Sequence, residues 1–403
     1  MALLSVEDAL ERILHGATPP QLTELVGLHD GLARVLSQDI PARVTHPAFD
    51  NSAMDGYAVR HRDIETIGSE LTVIGQSAAG HGFKGEMKAG EAVRIFTGAP
   101  VPSGADTVII QEDTERLPGN RIRTTFVPGK GRHIRTAGQD FIAGEAGLSA
   151  GDVLDAGRLT LAAGMNHASL PVFKRPRIAI LATGDELVAP GSKPGDDQII
   201  ASNSFGVATI ARDNGAEVID LGIVRDDRDA ISAEIRRAQD ADVDVIVTLG
   251  GASVGDHDLV QSTLIACGMT LDFWRIAMRP GKPLMVGQLG KTTVLGLPGN
   301  PVSSLVCALL FLEPLTRKLA RLPSRDRLTT ARLANPLPGN DVRQDYVRAR
   351  LTRDSDGALL AHPFSRQDSS MMKVFAQSDC LIVRPPHAAE APAGTTCDIL
   401  RIR

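Results

Sequence analysis

Cysteine is scarce: the 403 residues hold four thiols, Cys267, Cys307, Cys380 and Cys397. None sits in a CxxC pair and no Cys/His run has zinc spacing, so neither a zinc framework nor a disulfide framework organises the chain. Reduced, buried thiols suit a cytoplasmic protein. Long apolar runs are missing too. The longest, LVCALLFL at 305–312, falls far short of the roughly 20 residues that span a bilayer. The N-terminus, MALLSVEDALERIL, carries acids where a signal peptide carries bases and a long apolar core. No membrane association is expected. A basic excess is also lacking: the net charge is −5, which argues against a general nucleic-acid binder. No internal repeat or long low-complexity segment appears.

With 43% hydrophobic and 23% charged residues the sequence is globular in composition. Its length calls for roughly two to four domains. Residues 5–15 read as an amphipathic helix, with Leu10, Ile13 and Leu14 on one face and Gly16 as its stop. A second helix is expected over 23–36. After Pro41 the texture changes to short β-like pieces cut by Gly and Pro: YAVR, LTVIGQ, AVRIF, DTVIIQED and RIRTTFV. These predict an all-β module. Residues 152–163 read as a helix. From 174 to 322 strands and helices alternate. Strands are expected at 177–183, 217–224, 244–251 and 292–298, and helices at 202–214, 228–239, 258–267 and 301–319. Ser202 is the expected N-cap of the first helix and Gly215 its C′ residue. This alternation predicts a parallel sheet covered on both faces. A short Pro-containing linker follows. LTTARL, DYVRARL, DCLIVRP and CDILRIR then suggest a small barrel.

Three strand-then-loop units dominate the middle of the chain: RIAILATGDEL (177–187), DVIVTLGGASVGDHD (244–258) and TTVLGLPGNPVSS (292–304). Open α/β sheets bind ligands outside the carboxyl ends of their strands, where such loops converge. In the first, Gly184 permits a tight turn, and Asp185 and Glu186 offer carboxylates to a ligand or metal. In the second, Gly250 and Gly251 let backbone N–H groups approach phosphate oxygens, with Ser253 beside them. Asp256 and Asp258 would repel that phosphate without an intervening cation, and oxygen ligands around a diphosphate are the usual Mg²⁺ arrangement. Asp226, in VRDDRD, is a further acid at the same edge. For its neighbour Asp227 the alternative of simply opening a helix stays open. In the third unit, Pro298, Asn300 and Pro301 precede a helix whose first turn, with Ser303 and Ser304, offers an anion cradle. WRIAMRPGKP adds Arg275, Arg279 and Lys282. Such charge runs are commonly solvated surface, but this one is framed by Gly and Pro just before LPGNP. Elsewhere, DNSAMDGYAV around Asp55, RIFTG with Thr97 at a strand end, and RHIRTAGQD with Arg135 and Asp140 are weaker signals.

Taken together, DNSAMDGYAVR, RIFTGAPVPSGADTVI, RHIRTAGQD, ATGDEL, GGASVGDHD, MRPGKP and GLPGNPVSS, in this order, resemble the MoeA-type molybdopterin molybdenumtransferases, the group that includes the C-terminal part of gephyrin. The resemblance implies a multidomain α/β plus β architecture, elongated and homodimeric. It implies a discontinuous helical and linking domain (1–44 with 141–172), an inserted β module (45–140), a central parallel-sheet α/β domain (173–322) and a C-terminal small β-barrel (323–403). It implies a transferase that takes adenylylated molybdopterin and molybdate, releases AMP in a Mg²⁺-dependent step and yields molybdenum cofactor. By motif, Glu186, Asp226 and Asp258 would serve the diphosphate and Mg²⁺. Asp55, Thr97 and Asp140 would form a wall from the partner subunit, Asp55 acting with Glu186, Asp226 and Asp258 as a catalytic carboxylate, and Arg135 would bind substrate or oxyanion. Arg275, Arg279, Lys282, Ser303, Arg348 (DYVRARL) and Ser369 (RQDSS) would hold the oxyanion. The sequence departs from some members at Arg275 and Arg279, where lysine can stand; arginine makes forked contacts and lysine a point contact. Supply by a molybdopterin adenylyltransferase and delivery to molybdoenzyme chaperones are implied as well.

Two other readings compete. The adenylyltransferase that makes the substrate resembles the central α/β domain alone, but carries a GGTG-type loop where this chain has Gly250-Gly251-Ala252-Ser253. A gephyrin-like scaffold without catalysis would add an N-terminal domain and a long linker, and would not need its acids and bases intact.

Overall fold

The structure, a computed structural model, describes residues 3–251, 259–273 and 275–402. The chain forms two compact units, residues 25–32 with 36–172 and residues 1–24 and 33–35 with 173–403.

The first unit is built on a six-stranded sheet. Strand Gly56–Val59 lies between Thr107–Ile110 and Glu91–Ile95, and the sheet continues through Glu70–Ser77, Arg121–Thr124 and Thr114–Leu117. Tyr57, Val59, Leu71, Ile109 and Ile122 fill one face, and Ala58, Val93, Ile95 and Val108 the other. A separate core gathers Leu36 and Ile40 with Phe141, Leu154, Met165 and Val172. Its helix, Ala156–Gly164, is capped by the Asp155 carboxylate, which accepts from Arg158 N at 2.8 Å. The helix expected over 23–36 does not form. Strand Thr23–Gly27 and a single 3₁₀ turn, Leu28–Asp30, stand there instead. Leu25, Leu28, Leu32 and Leu36 do recur at helical spacing. Gly27 and Gly31 interrupt them, however, each costing a helix about 1 kcal/mol.

In the second unit a six-stranded sheet has the order Glu217–Val224, Arg177–Thr183, Val245–Leu249, Thr292–Leu297, Met285–Leu289, Thr270–Phe273. The first four are parallel, as expected. The last two are antiparallel additions that the sequence did not announce. Along Arg177–Thr183 the residues alternate: Ile178, Ile180 and Ala182 enter one core, Ala179 and Leu181 the other. Burial on both faces is why the strand reads as an unbroken apolar run. Helices Asn203–Asp213 and Pro301–Cys307 cover the first face; Arg228–Asp240 and Leu259–Ala266 cover the second. The long helix expected over 301–319 forms, but its middle, Ala308–Leu312, is π-helical. Pro314 offers no N–H to the turn before it, and a widened turn accommodates its ring.

The C-terminal strands close on themselves. Gln344–Arg353 pairs with both Leu359–Pro363 and Cys380–Arg384, and Leu328–Leu333 and Thr396–Arg401 complete a five-stranded barrel. Leu359–Pro363 and the short helix Met372–Ala376 are elements that patterning missed.

Candidate active site

The parallel register aligns the three loops. Ala182 pairs with Leu249, and Leu249 with Leu297, so all three strands end at one level. Thr183 pairs with Val224, which brings the Asp226 loop to the same edge. The loops enclose a cleft of about 880 Å³ lined by Gly184, Glu186, Asp226, Gly250, Gly251, Lys282, Pro298, Asn300 and Pro301. Eight of the residues expected at the site, with the turn glycine Gly184, thus line one cleft. Ser253 and Asp258 lie outside the described residues.

The glycines of this edge are steric necessities. A Cβ on Gly251, whose φ is +63°, would fall 2.2 Å from Val260 Cγ2. One on Gly250 would fall 2.9 Å from the Thr183 carbonyl oxygen. The Gly250 N–H donates to Leu297 O at 3.2 Å, so it pins the loop to the next strand. The carboxylates crowd one another. Asp226 N–H donates to Asp185 Oδ1 at 3.3 Å, and burial, then the charges of Asp185 and Glu186, push the Asp226 carboxyl above its ordinary range. Such a group favours a nearby cation.

A donor the sequence did not reveal comes from the helix Asn203–Asp213. Ser202 was the expected N-cap, but its side chain makes no capping bond. Ser202, Asn203 and Ser204 line the cleft, and Asn203 Nδ2 donates to Gly299 O at 2.7 Å. An uncapped helix N-terminus directs N–H groups and positive potential outward, which favours an anion. The run Ser202-Asn203-Ser204, with three capping-type residues where one suffices, was the available signal.

The expected oxyanion residues divide between two places. Lys282 lines the cleft. Arg279 and Arg348 line a second cavity of about 570 Å³ at the barrel, with Arg384, Asp345 and Gln367. Arg279 is paired with Asp345. Arg348 is 2% exposed and donates to Asp368 O at 3.2 Å. Burial pushes its pKa down to about 10. Among the described residues, Arg348 Nε, Arg384 Nε and Asp345 Oδ1 are buried without a hydrogen-bond partner. Three such atoms in one cavity ask for a polar guest. Arg384 was missed because DCLIVRP reads only as a strand. Ser303 does not reach either cavity; it is 4% exposed in the first helical turn. Ser369 acts through its carbonyl, which accepts from Val302 N at 3.0 Å. That bond also uses an N–H of the anticipated anion cradle. Arg275 is exposed and its carbonyl accepts from Leu4 N at 3.3 Å.

The remaining candidates belong to the other unit. Asp55 Oδ1 accepts from Thr97 N at 2.8 Å and from Thr97 Oγ1 at 2.9 Å. These two bonds, then the Arg94 charge, hold the Asp55 carboxyl below its ordinary value. Strand Ile134–Arg135 pairs with Asn51–Ser52, with Arg135 opposite Asn51. Asp50 Oδ1 accepts from Ala137 N at 2.8 Å, which docks the loop bearing the exposed Asp140.

Known proteins match along this whole layout. Residues 4–165 match the MoeA N-terminal region (domains I and II), 179–318 a probable molybdopterin-binding domain, and 330–402 the MoeA C-terminal region (domain IV). The molybdopterin molybdenumtransferase of Haemophilus influenzae is 33% identical over 98% of both chains. That of Nostoc sp. is 36% identical over 91% of this chain and 85% of its own. The crystal structure of the molybdopterin biosynthesis MoeA protein of Pyrococcus horikoshii superposes with a TM-score of 0.84 at 29% identity, covering both chains fully. With its strand-end cleft, its arginine-lined barrel and full-length relatives of one kind, the chain belongs to the MoeA family of molybdopterin molybdenumtransferases.

Proposed function

We propose that the chain inserts molybdenum into adenylylated molybdopterin with Mg²⁺-dependent release of AMP, the α/β cleft taking the nucleotide diphosphate and the barrel cavity taking molybdate. The insertion of molybdenum into molybdopterin is the activity its relatives are named for. One observation carries the finer reading: carboxylates and an uncapped helix N-terminus share one cleft, while a separate cavity is lined by two buried arginines, Arg348 and Arg384, whose Nε atoms have no hydrogen-bond partner. A diphosphate needs N–H donors and a cation; a tetrahedral dianion needs forked donors.

The donor set fits magnesium. Among the described residues no three Asp, Glu, His or Cys side chains gather into a metal cage. Magnesium does not require one: it is held by one or two carboxylates plus phosphate oxygens and water. Glu186 and Asp226 supply that pair, with Asp258 as the third candidate. A bound Mg²⁺ supplies charge neutralisation on the phosphoanhydride. The chain's own part is positional. Lys282 offsets charge on the leaving phosphate, the Asn203–Asp213 helix orients the diphosphate, and Arg279, Arg348 and Arg384 present molybdate. Ser303 and Ser369 support the loops rather than touch the oxyanion. Asp55, Thr97, Arg135 and Asp140 form the wall that a partner subunit of a homodimer contributes. Four free thiols suit the reducing cytoplasm, where an adenylyltransferase supplies the substrate and molybdoenzyme chaperones take the product.

The test supplies adenylylated molybdopterin, molybdate and Mg²⁺. AMP release matched by molybdenum in the pterin is expected, and chelation stops it. Formation of adenylylated pterin from ATP and molybdopterin would favour the adenylyltransferase reading instead. Mixing Asp55→Asn and Asp226→Asn subunits should restore roughly a quarter of wild-type turnover, since half of a random mixture is hybrid and each hybrid has one intact composite site. No restoration would overturn the shared site.

A further inference from the structure

The Asp55 carboxylate is held by Thr97, but the peptide that carries it is held by something else. Arg94, in strand Glu91–Ile95, lies opposite Tyr57 across the sheet. Its guanidinium carbon stands 5.0 Å from the ring centroids of both Tyr57 and Phe96. From there it forks. One arm, Nη1, donates to Gly56 O at 3.1 Å; the other, Nη2, donates to Gln111 Oε1 at 2.6 Å. Gln111 in turn donates its backbone N–H to Asp55 O at 3.1 Å. The two carbonyls on either side of the Asp55–Gly56 junction are therefore fixed through one guanidinium and one glutamine.

We propose that Arg94 is a positioning residue for Asp55: with Gln111 it sets the backbone at 55–56 so that the Asp55 carboxylate meets the reacting group in its productive orientation. The inference rests on the reading that Asp55 acts in the reaction. Arginine suits the role for a physical reason. A planar fork reaches two acceptors in fixed directions while lying against aromatic faces, and an ammonium does neither. If Arg94 only packed the sheet, its removal would cost stability without acting selectively on turnover. If it orients a reacting group, a small displacement of Asp55 is felt in the chemical step, where a misplacement of about 1 Å can cost 10²-fold.

The experiment measures kcat and KM for molybdenum insertion with adenylylated molybdopterin, molybdate and Mg²⁺, beside the urea-unfolding midpoint. Arg94→Ala is expected to lower kcat by about 10- to 100-fold with KM within about twofold. Arg94→Lys, which keeps the charge, stays about tenfold down. Millimolar guanidinium ion added to Arg94→Ala restores part of the lost rate, a response that a packing defect does not give. Should Arg94→Ala fail to fold, Gln111→Ala, on an exposed side chain, gives the readout: a several-fold lower kcat supports the proposal and an unchanged one overturns it. Wild-type kcat in Arg94→Ala, beside an inactive Asp55→Asn, overturns the positioning role alone. Full activity in Asp55→Asn removes the underlying reading and this one with it.

Discussion

Asp226→Asn is expected to lose AMP release by roughly 10²-fold or more while its unfolding midpoint stays at or above that of the parent. The two halves of this outcome share one cause. Asp226 stands beside Asp185 and Glu186, and that crowding, on top of burial, works against its charge. In the absence of a cation three neighbouring carboxylates repel one another, so neutralising one relieves the fold. On the proposed reading, the same charge is what a cation bound with the nucleotide would need. Sites that carry such strain commonly trade stability for activity. Parallel assays of AMP release and thermal unfolding check both halves. Parent-level release in the variant would take Asp226 out of the reaction. A large fall in the midpoint would show that the carboxylate holds the loop and is not strained by it.

Gly56→Ala should be the most damaging small change in the β unit. A methyl group there would lie 1.9 Å from Ile109 O and 2.9 Å from Ile110 Cα. These are backbone atoms of the paired strand, with Gly56 opposite Ile110, so no side chain can swing away to make room. The strands must part, at a cost of about 3 kcal/mol or more. Because Gly56 follows Asp55, the shift also breaks the geometry with Thr97, and turnover falls with stability. Urea unfolding followed by circular dichroism should show an early transition. A parent-like curve would mean that the close strand approach is absent in solution.

How much of this was legible in the sequence depended on whether an element's signal was local. Strands Arg177–Thr183, Glu217–Val224 and Leu328–Leu333 fall where their apolar or β-branched runs place them, because both ends are marked by turn or charged residues. Loop residues Glu186, Asp226 and Asn300 were found because strand ends in a parallel sheet share one edge. What failed was non-local. Met285–Leu289 is a strand because it pairs with Thr292–Leu297 across a turn at Gly290, and its short run, MVGQL, has no pattern of its own. The leucines over 25–36 keep helical spacing, yet two glycines decide against a helix. Arg279 and Lys282, three residues apart, were read as one charge cluster. A turn through Gly281, with φ +128°, sends them into different cavities. Arg384 carried no signal at all, since its importance lies in which strand closes the barrel.

Residues 367–370 have a consequence of their own. Gln367 lines the arginine cavity, Ser370 lines the sheet-edge cleft, Asp368 is gripped by Arg348, and Ser369 is tied to the first turn of the helix at Pro301. Four consecutive residues are thus a party wall between two chambers. A guest that shifted Arg348 would act on the same segment that borders the other chamber, and any coupling of affinity that resulted would be equal in both directions. Under the proposed reading, any mutual influence of the two guests would pass through this one short stretch of chain.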